Sequence, residues 1–445
     1  MSARAALAAI AALWLSGVPA AAQAPSTLFE NVRIFDGTGA APGEAVNVLV
    51  RGNVIAEISK DPIATEPGEA TEVIAGGGRT LMPGLIDAHW HAMLVRPNPV
   101  VALASDPGYL NLVAGAEATA TLMRGFTTVR DMGGPSFGLK RAIDEGLVPG
   151  PRIYPSGAVI TITSGHGDFR PLSDLPRTIG GFRSRVEQLG AAMIADSPDE
   201  VRLRTREQLM QGAALIKLTA GGGVASPFSP LDVSTFTEAE MRAAVEAAGN
   251  WGTYVATHAY TPESIRRSIA AGVLCIEHGH LMDEATAALM AEKGVWLSTQ
   301  PFLAGEGGGA DQLGPAEQAK MRQVVAGTET VYRLARKYGL KTAFGTDILF
   351  SAEEARQQGA RLVALTRWYS PAEALTMATS VNAELLALSG LRNPYPGRLG
   401  VVAEGALADL LLVDGDPTTD IGLVADPERN FVVIMKDGRI YKKGL

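Results

Sequence analysis

Six histidines occur in the 445 residues, and they are not scattered. His89 and His91 lie in Asp87-Ala88-His89-Trp90-His91. In an extended strand, residues i and i+2 point to the same side. Both imidazoles can therefore reach one metal ion at about 2.0–2.1 Å. His258 closes the run Val255-Ala256-Thr257-His258, and His278 closes Ile276-Glu277-His278. His280 forms a second i, i+2 pair with His278, and a structural or supporting role suits it best. Asp347 ends Phe344-Gly345-Thr346-Asp347, where a carboxylate could bind a metal and take a proton from its bound water. Lys217 interrupts the apolar run Leu215-Ile216-Lys217-Leu218. A charged, unpaired lysine facing a core would be costly. It either faces outward, pairs with a carboxylate, or is carbamylated. Burial favours the neutral amine that carbamylation needs, and the product is an anion able to bridge two cations.

These residues need elements to hold them. Eight short apolar runs alternate with Ala-, Leu-, Glu- and Arg-rich stretches of helical period. The runs are 85–87, 127–129, 152–154, 215–218, 254–256, 274–276, 295–297 and 342–344. Eightfold alternation predicts an α/β fold, a (β/α)8 barrel of the TIM type. Five of the six histidines then fall at or just past the C-terminal end of a strand. His166 falls in the loop after the third. Residues 26–82 and 395–445 read as strands with glycine turns. Neither end forms a stable sheet alone, so the two are expected to pair as a small β-sandwich beside the barrel. The expected division is 1–24 leader, 26–82 and 395–445 β-domain, and 83–394 (β/α)8 barrel carrying the candidate metal ligands.

Taken together, His89, His91, Lys217, His258, His278 and Asp347 resemble the binuclear subtype of the amidohydrolase superfamily. The segments Met82-Pro83-Gly84-Leu85-Ile86-Asp87-Ala88-His89, Gly125-Phe126-Thr127-Thr128-Val129-Arg130-Asp131, Ser164-Gly165-His166-Gly167-Asp168, Lys217-Leu218-Thr219-Ala220-Gly221-Gly222-Gly223-Val224 and Ile276-Glu277-His278-Gly279 look like its prolidase-type members. That group includes Xaa-Pro and Xaa-Arg/Lys dipeptidases and ochratoxin-hydrolysing amidases. The resemblance implies two divalent cations, Zn²⁺ by preference. His89, His91 and Asp347 would hold one, and His258 and His278 the other. An N6-carboxylysine at Lys217 and a hydroxide would bridge them. The implied substrate is a small amide with a free carboxylate next to the leaving nitrogen, such as a dipeptide, an N-acyl amino acid or an ochratoxin-like amide. The alternatives are a cyclic amidohydrolase or deaminase on the same scaffold, or a non-catalytic binding protein that kept the fold.

His166 has no metal role in that pattern. It either binds substrate or assists catalysis by hydrogen-bonding the scissile carbonyl or a substrate carboxylate, or it steadies its loop beside Asp168. Tyr260 is a substrate-contact candidate. Arg130 and Asp131 are expected to pair with each other. Residues 165–196 and 301–315 read as loops at the mouth, the first a candidate lid.

With 39 basic and 47 acidic residues the chain has a formal net charge of −8. No Lys/Arg run stands out, which argues against nucleic acid or an anionic membrane as partner. Met1 to Arg4, the apolar run Ala5 to Leu15 and the small residues Ala20 to Ala24 read as a cleavable signal peptide, hence a periplasmic or secreted enzyme. The lone Cys275 reads as a buried apolar side chain rather than a nucleophile. A homo-oligomer is compatible with all of this.

Overall fold

The computed structural model describes residues 26–65, 70–175, 181–303 and 314–444. The expected leader lies outside these residues, as does most of the loop 301–315. The described chain is a mixed α/β fold. Strands β1 (Ser26–Ile34), β2 (Val46–Arg51), β3 (Val54–Ser59), β4 (Thr71–Ala75) and β5 (Thr80–Pro83) come first. Then follow β6 (Leu85–Trp90), β7 (Phe126–Asp131), β8 (Arg152–Pro155), β9 (Val159–Thr161), β10 (Ala192–Ile194), β11 (Ile216–Thr219) and β12 (Val255–Ala259). Next are β13 (Cys275–His278), β14 (Trp296–Thr299), β15 (Thr342–Phe344), β16 (Leu410–Val413), β17 (Phe431–Lys436) and β18 (Arg439–Lys443).

Both chain ends enter one sheet of order β18-β17-β16-β5-β1-β2-β3, with β4 also beside β1. The seam is antiparallel, with Leu81 opposite Leu412 and Thr80 opposite Val413. Strand period two explains why β16 is apolar at every position. Leu410 and Leu412 pack with Phe29, Val48 and Val433 in the sheet's own core. Leu411 and Val413 turn the other way, into the main core with Phe126, Ile216 and Phe431. Gly125 is required at this contact, since a Cβ there would lie 2.3 Å from the Phe431 ring.

The remaining strands form two parallel sheets, β6-β7-β8 and β10-β9-β11-β12-β13-β14-β15. All eight runs read from the sequence overlap these strands; those at 215, 254, 274 and 295 begin one residue before the strand does. Their sheet edges are tied together. Asp347 N–H donates to the His89 carbonyl at 2.8 Å. The Asn382 amide donates to the Ile86 and Phe344 carbonyls, both at 2.7 Å, and accepts from Phe344 N–H at 3.0 Å. One side chain thus bridges β6 and β15 where no ladder joins them.

The helices between strands are signalled locally. Asp106, Ser197, Thr237, Thr261 and Asp283 each cap a helix with the side-chain oxygen, and Pro107, Pro198 and Pro262 sit in the first turn. Gly272, Gly294 and Gly339 end helices in the left-handed conformation.

The stretch after β8 differs from the open loop expected there. β9 and β10 pair in parallel, Val159 with Ala192 and Thr161 with Ile194, and a short helix spans Arg185–Gln188. Runs of three apolar residues are too short to carry a period, so nothing in the sequence marked them as strands.

Candidate active site

The candidate residues sit where the parallel strands end. His89 belongs to β6, and His91 follows one residue after it. Lys217 lies in β11, His258 in β12 and His278 at the last position of β13. Asp347 lies three residues past β15. His278 and Asp347 hold left-handed backbone, φ 76° and 53°. Such conformations are uncommon for residues with a Cβ and cost on the order of 1–3 kcal/mol each. Both side chains are re-aimed by them at the point where their strands stop.

Three ligand-type groups converge tightly. His89 Nε2 and His91 Nε2 lie 3.3 and 3.2 Å from the same Asp347 oxygen. Among the described residues these three form a group able to hold a metal ion. His278 is next, with Nδ1 3.9 Å from the other Asp347 oxygen and its ring 4.9 Å from that of His89. His258 stacks edge-on to His278 at 4.3 Å, and His166 lies 4.3 Å beyond His258. Tyr260 packs against His258 and His278 at 4.7 and 5.1 Å.

Each of the four strand-end histidines commits one ring nitrogen. His89 Nδ1 bonds Glu277 at 2.8 Å, and His91 Nδ1 donates to the Gly133 carbonyl at 3.1 Å. His258 Nε2 donates to the Gly222 carbonyl at 2.9 Å, and His278 Nδ1 to the Gln300 side-chain oxygen at 2.7 Å. For His89, His258 and His278 the proton is thereby fixed on the committed nitrogen, and the other keeps its lone pair; His91 Nε2 instead shares a hydrogen bond with Asp347 at 3.2 Å. Burial, with further depression by Lys217, pushes His89, His258 and His278 well below the usual histidine range. His91 is also penalised by burial, but Asp347 outweighs that and raises it. Burial lowers Lys217 as well, against the opposing pull of Glu277 and Asp347. Three imidazoles held neutral, a fourth paired with a carboxylate, and an amine of weakened basicity are donors that fit a divalent cation of the Zn²⁺ kind, which would displace the His91 proton on binding.

Buried charges brace the first of these ligands. Arg130 and Glu277 are fully buried and pair at 2.7 Å, while the other Glu277 oxygen holds His89. Arg130 also donates to the Ala88 carbonyl at 2.6 Å and to Tyr254 at 3.1 Å. The expected Arg130–Asp131 pair is not formed. Adjacent residues of a strand face opposite sides, so Asp131 instead accepts from Ala92 N–H and Ser136, both at 2.7 Å. Burial raises Asp131 to about 6, and Asp87 likewise. Asp87 accepts from the Thr346 hydroxyl and amide, from Gln358 and from His89 N–H, which locks the start of the H-x-H to the end of β15.

His166 is not paired with Asp168, whose carboxylate binds Arg170. Its Nδ1 meets Ser226 Oγ at 2.9 Å. A Cβ on Gly223 would lie 1.9 Å from that ring nitrogen, so the glycine run of 221–223 lets the loop close on His166. Burial lowers His166 to about 3. Lys320 holds this loop by donating to the carbonyls of Gly223, Ser226 and Ser229. His280 donates from Nε2 to the Gln300 carbonyl and stacks on Phe302, in keeping with a supporting role. Cys275 is buried against Glu277.

Glu277, Gln300, Ser226 and Lys320 carried no role in the sequence reading. Only Glu277 had a signal: a carboxylate inside an apolar strand must find a buried cation.

A family model described as the amidohydrolase family matches residues 80–442. An ochratoxinase from Aspergillus niger is 30% identical over 385 residues, covering 81% of this chain and 75% of its own. A crystal structure of a prolidase complexed with N-methylphosphonate-L-proline aligns with TM-score 0.85 at 34% identity, covering 94% of this chain and 100% of that one. A Xaa-Pro dipeptidase with methionine bound in its active site aligns with TM-score 0.79 at 28% identity, over 94% and 100%.

Proposed function

The chain belongs to the amidohydrolase family, and from that premise we propose that it cleaves amide or peptide bonds in small substrates with two divalent cations. The preferred substrate carries a free carboxylate next to the leaving nitrogen, as in dipeptides and N-acyl amino acids. In this reading the two parallel sheets form one (β/α)8 barrel, residues 83–394. The sheet of the chain ends, residues 26–82 and 395–445, is its companion β-sandwich.

His89, His91 and Asp347 would hold one cation, and His258 and His278 the other. Lys217, as a carboxylated lysine, would supply oxygens to both. The cations, Zn²⁺ by the donor chemistry, would polarise the scissile carbonyl and acidify a water. Asp347 is placed to take a proton from an attacking water and would pass it to the leaving amine. Ser226 Oγ accepts the Gly167 N–H at 2.9 Å. By giving its own proton to His166 Nδ1, it would leave His166 Nε2–H as a donor to the substrate. The Tyr260 hydroxyl stays neutral, because burial raises it above the usual tyrosine range, and it is the second donor. Residues 1–24 direct export to the periplasm or outside, which sequencing of the mature N-terminus would check.

The observation that carries the reading is the meeting of two Nε2 atoms on one Asp347 oxygen, with each ring's other nitrogen committed. Elemental analysis should find close to two metals per chain. Chelation should abolish hydrolysis of a dipeptide and N-acyl amino acid library, and Zn²⁺, Co²⁺ or Mn²⁺ should restore it. Full activity in a metal-free preparation would end the proposal.

A further inference from the structure

β6 carries His89 and leads to His91, and β15 leads to Asp347, yet each of these strands ends its sheet. No ladder joins them among the described residues. Buried main-chain groups on such facing edges still need partners. Asn382 supplies them. Its side chain is fully buried, its amide donates to the Ile86 and Phe344 carbonyls at 2.7 Å each, and its oxygen accepts the Phe344 N–H at 3.0 Å. Both N–H groups and the oxygen are thus in use. Ile86 is three residues before His89, and Phe344 is three before Asp347. The bridge therefore lies about 10 Å below the ligands on both strands. Above it the strands come closer, for a Cβ on Gly345 would lie 2.5 Å from the His89 Cβ.

The helix that delivers Asn382 is irregular. Five residues of π-helix, Met377–Val381, separate Pro371–Thr376 from Asn382–Ala387. One extra residue in a helix turns everything after it by about 100°. Such turns occur frequently at functional sites. Here the turn decides which face of the following helix meets the seam.

We propose that Asn382 is a positioning residue for the first cation: it fixes the spacing of β6 and β15, and through it the convergence of His89 and His91 on Asp347. It shares no hydrogen bond with a candidate ligand. The inference rests on the metal-dependent reading above and adds a residue to it. The side chain is needed for its donors. Aspartate has the same shape, offers none, and would set a charge against two carbonyl oxygens. The two edges would part, and the ligands that follow three residues later on each strand would part with them.

The test uses the full chain, stripped of metal and titrated with Zn²⁺ and separately with Co²⁺. Asp347→Ala identifies the first site by removing it. Asn382→Asp removes both donors, and Asn382→Ser is the milder change should the first not fold. Thr379→Val is the control, because the Thr379 hydroxyl bonds within its own helix, to the Leu375 and Thr376 carbonyls. In the Asn382 variants the first site should weaken by about 10–100-fold, the usual loss when outer partners of metal ligands are removed. The second site should keep its affinity. The Co²⁺ absorption bands of the first site should shift, and kcat for N-acyl amino acids should fall with KM little changed. Thr379→Val should lower Tm alone. Equal weakening of both sites, an unchanged Co²⁺ spectrum in a folded variant, or the same losses in Thr379→Val overturns the positioning role and leaves the hydrolase reading standing. Failure of both Asn382 variants to fold overturns it too, because the residue would then support the whole fold. Selective weakening of the first site in a protein that hydrolyses no amide supports the role and overturns the hydrolase reading.

Discussion

The two halves of the site are built differently. At β6 and β15, His89, His91 and Asp347 are aimed at one point by strand backbone, by the Asp347–His89 main-chain bond and by a buried chain of charge through Glu277 to Arg130. At β12 and β13, His258 and His278 touch each other, but they lean on a loop carbonyl, Gly222, and on the side chain of Gln300 just past β14. The first half is preorganised in the protein alone. The second depends on a glycine-rich loop and on what Lys217 contributes. A cation should bind the first half more tightly, and substitutions should separate the halves.

Lys217→Ala should have the largest effect, because it removes the group that would join the two. Activity should be lost, with metal content falling toward one per chain. Acetate or propionate should restore part of it by placing two carboxylate oxygens in the vacated space. Loss without any rescue would leave an ordinary buried amine at that position. Asp347→Asn comes next. Its amide oxygen can still approach a metal, so most metal should remain. It cannot accept a proton, so the rate should fall by about 10²–10⁴, in kcat rather than as a pure KM effect. Near-normal kcat with metal retained would move the base elsewhere, with His166 and His280 the next candidates.

Glu277→Gln should make the first half as loose as the second. It leaves Arg130 buried without its counter-charge, a change worth about 3–5 kcal/mol of stability when a buried pair is broken. Glutamine offers one acceptor oxygen where Arg130 and His89 both donate; where Arg130 takes it, the His89 ring faces an N–H and is no longer set, so affinity for the first cation should drop by about 10–100-fold. Thermal unfolding with and without Zn²⁺ would check both. An unchanged Tm would show that Arg130 is satisfied by Ala88 and Tyr254 alone.

The contrast between the halves also divides what could be read from the sequence. The strand positions of His89, His91, Lys217, His258 and His278 follow from period two and from eight apolar runs, which are local signals. The bracing groups are not local. Arg130 sits beside Asp131 in sequence, yet its partner Glu277 lies six strands further along. Gln300, Ser226 and Lys320 are ordinary surface-type residues until a loop closes over them. β9 and β10 escaped notice because three residues carry no period, and their pairing is set by distant contacts.

The smallest effect should come from Lys320, and it tests the second half alone. Its ammonium is not near a ligand nitrogen by any bond in the structure. It donates to three carbonyls of the loop 223–229, at 2.9, 2.8 and 3.2 Å. That loop adjoins Gly222, whose carbonyl orients His258, and carries Ser226, which orients His166. Lys320→Met keeps the aliphatic stem and removes all three bonds, so the helix Pro315–Tyr338 should still form. The loop should then loosen, and His258 and His166 with it. Affinity for the second cation should fall by about tenfold, the low end of what outer partners of metal ligands are worth. The first cation should be unaffected, because His89, His91 and Asp347 share no bond with the loop 221–231. A titration of metal into the stripped protein would resolve two classes of site, with only the weaker displaced in the variant. Equal weakening of both classes would mean that the halves are mechanically one unit, and the contrast drawn from their hydrogen bonds would fail.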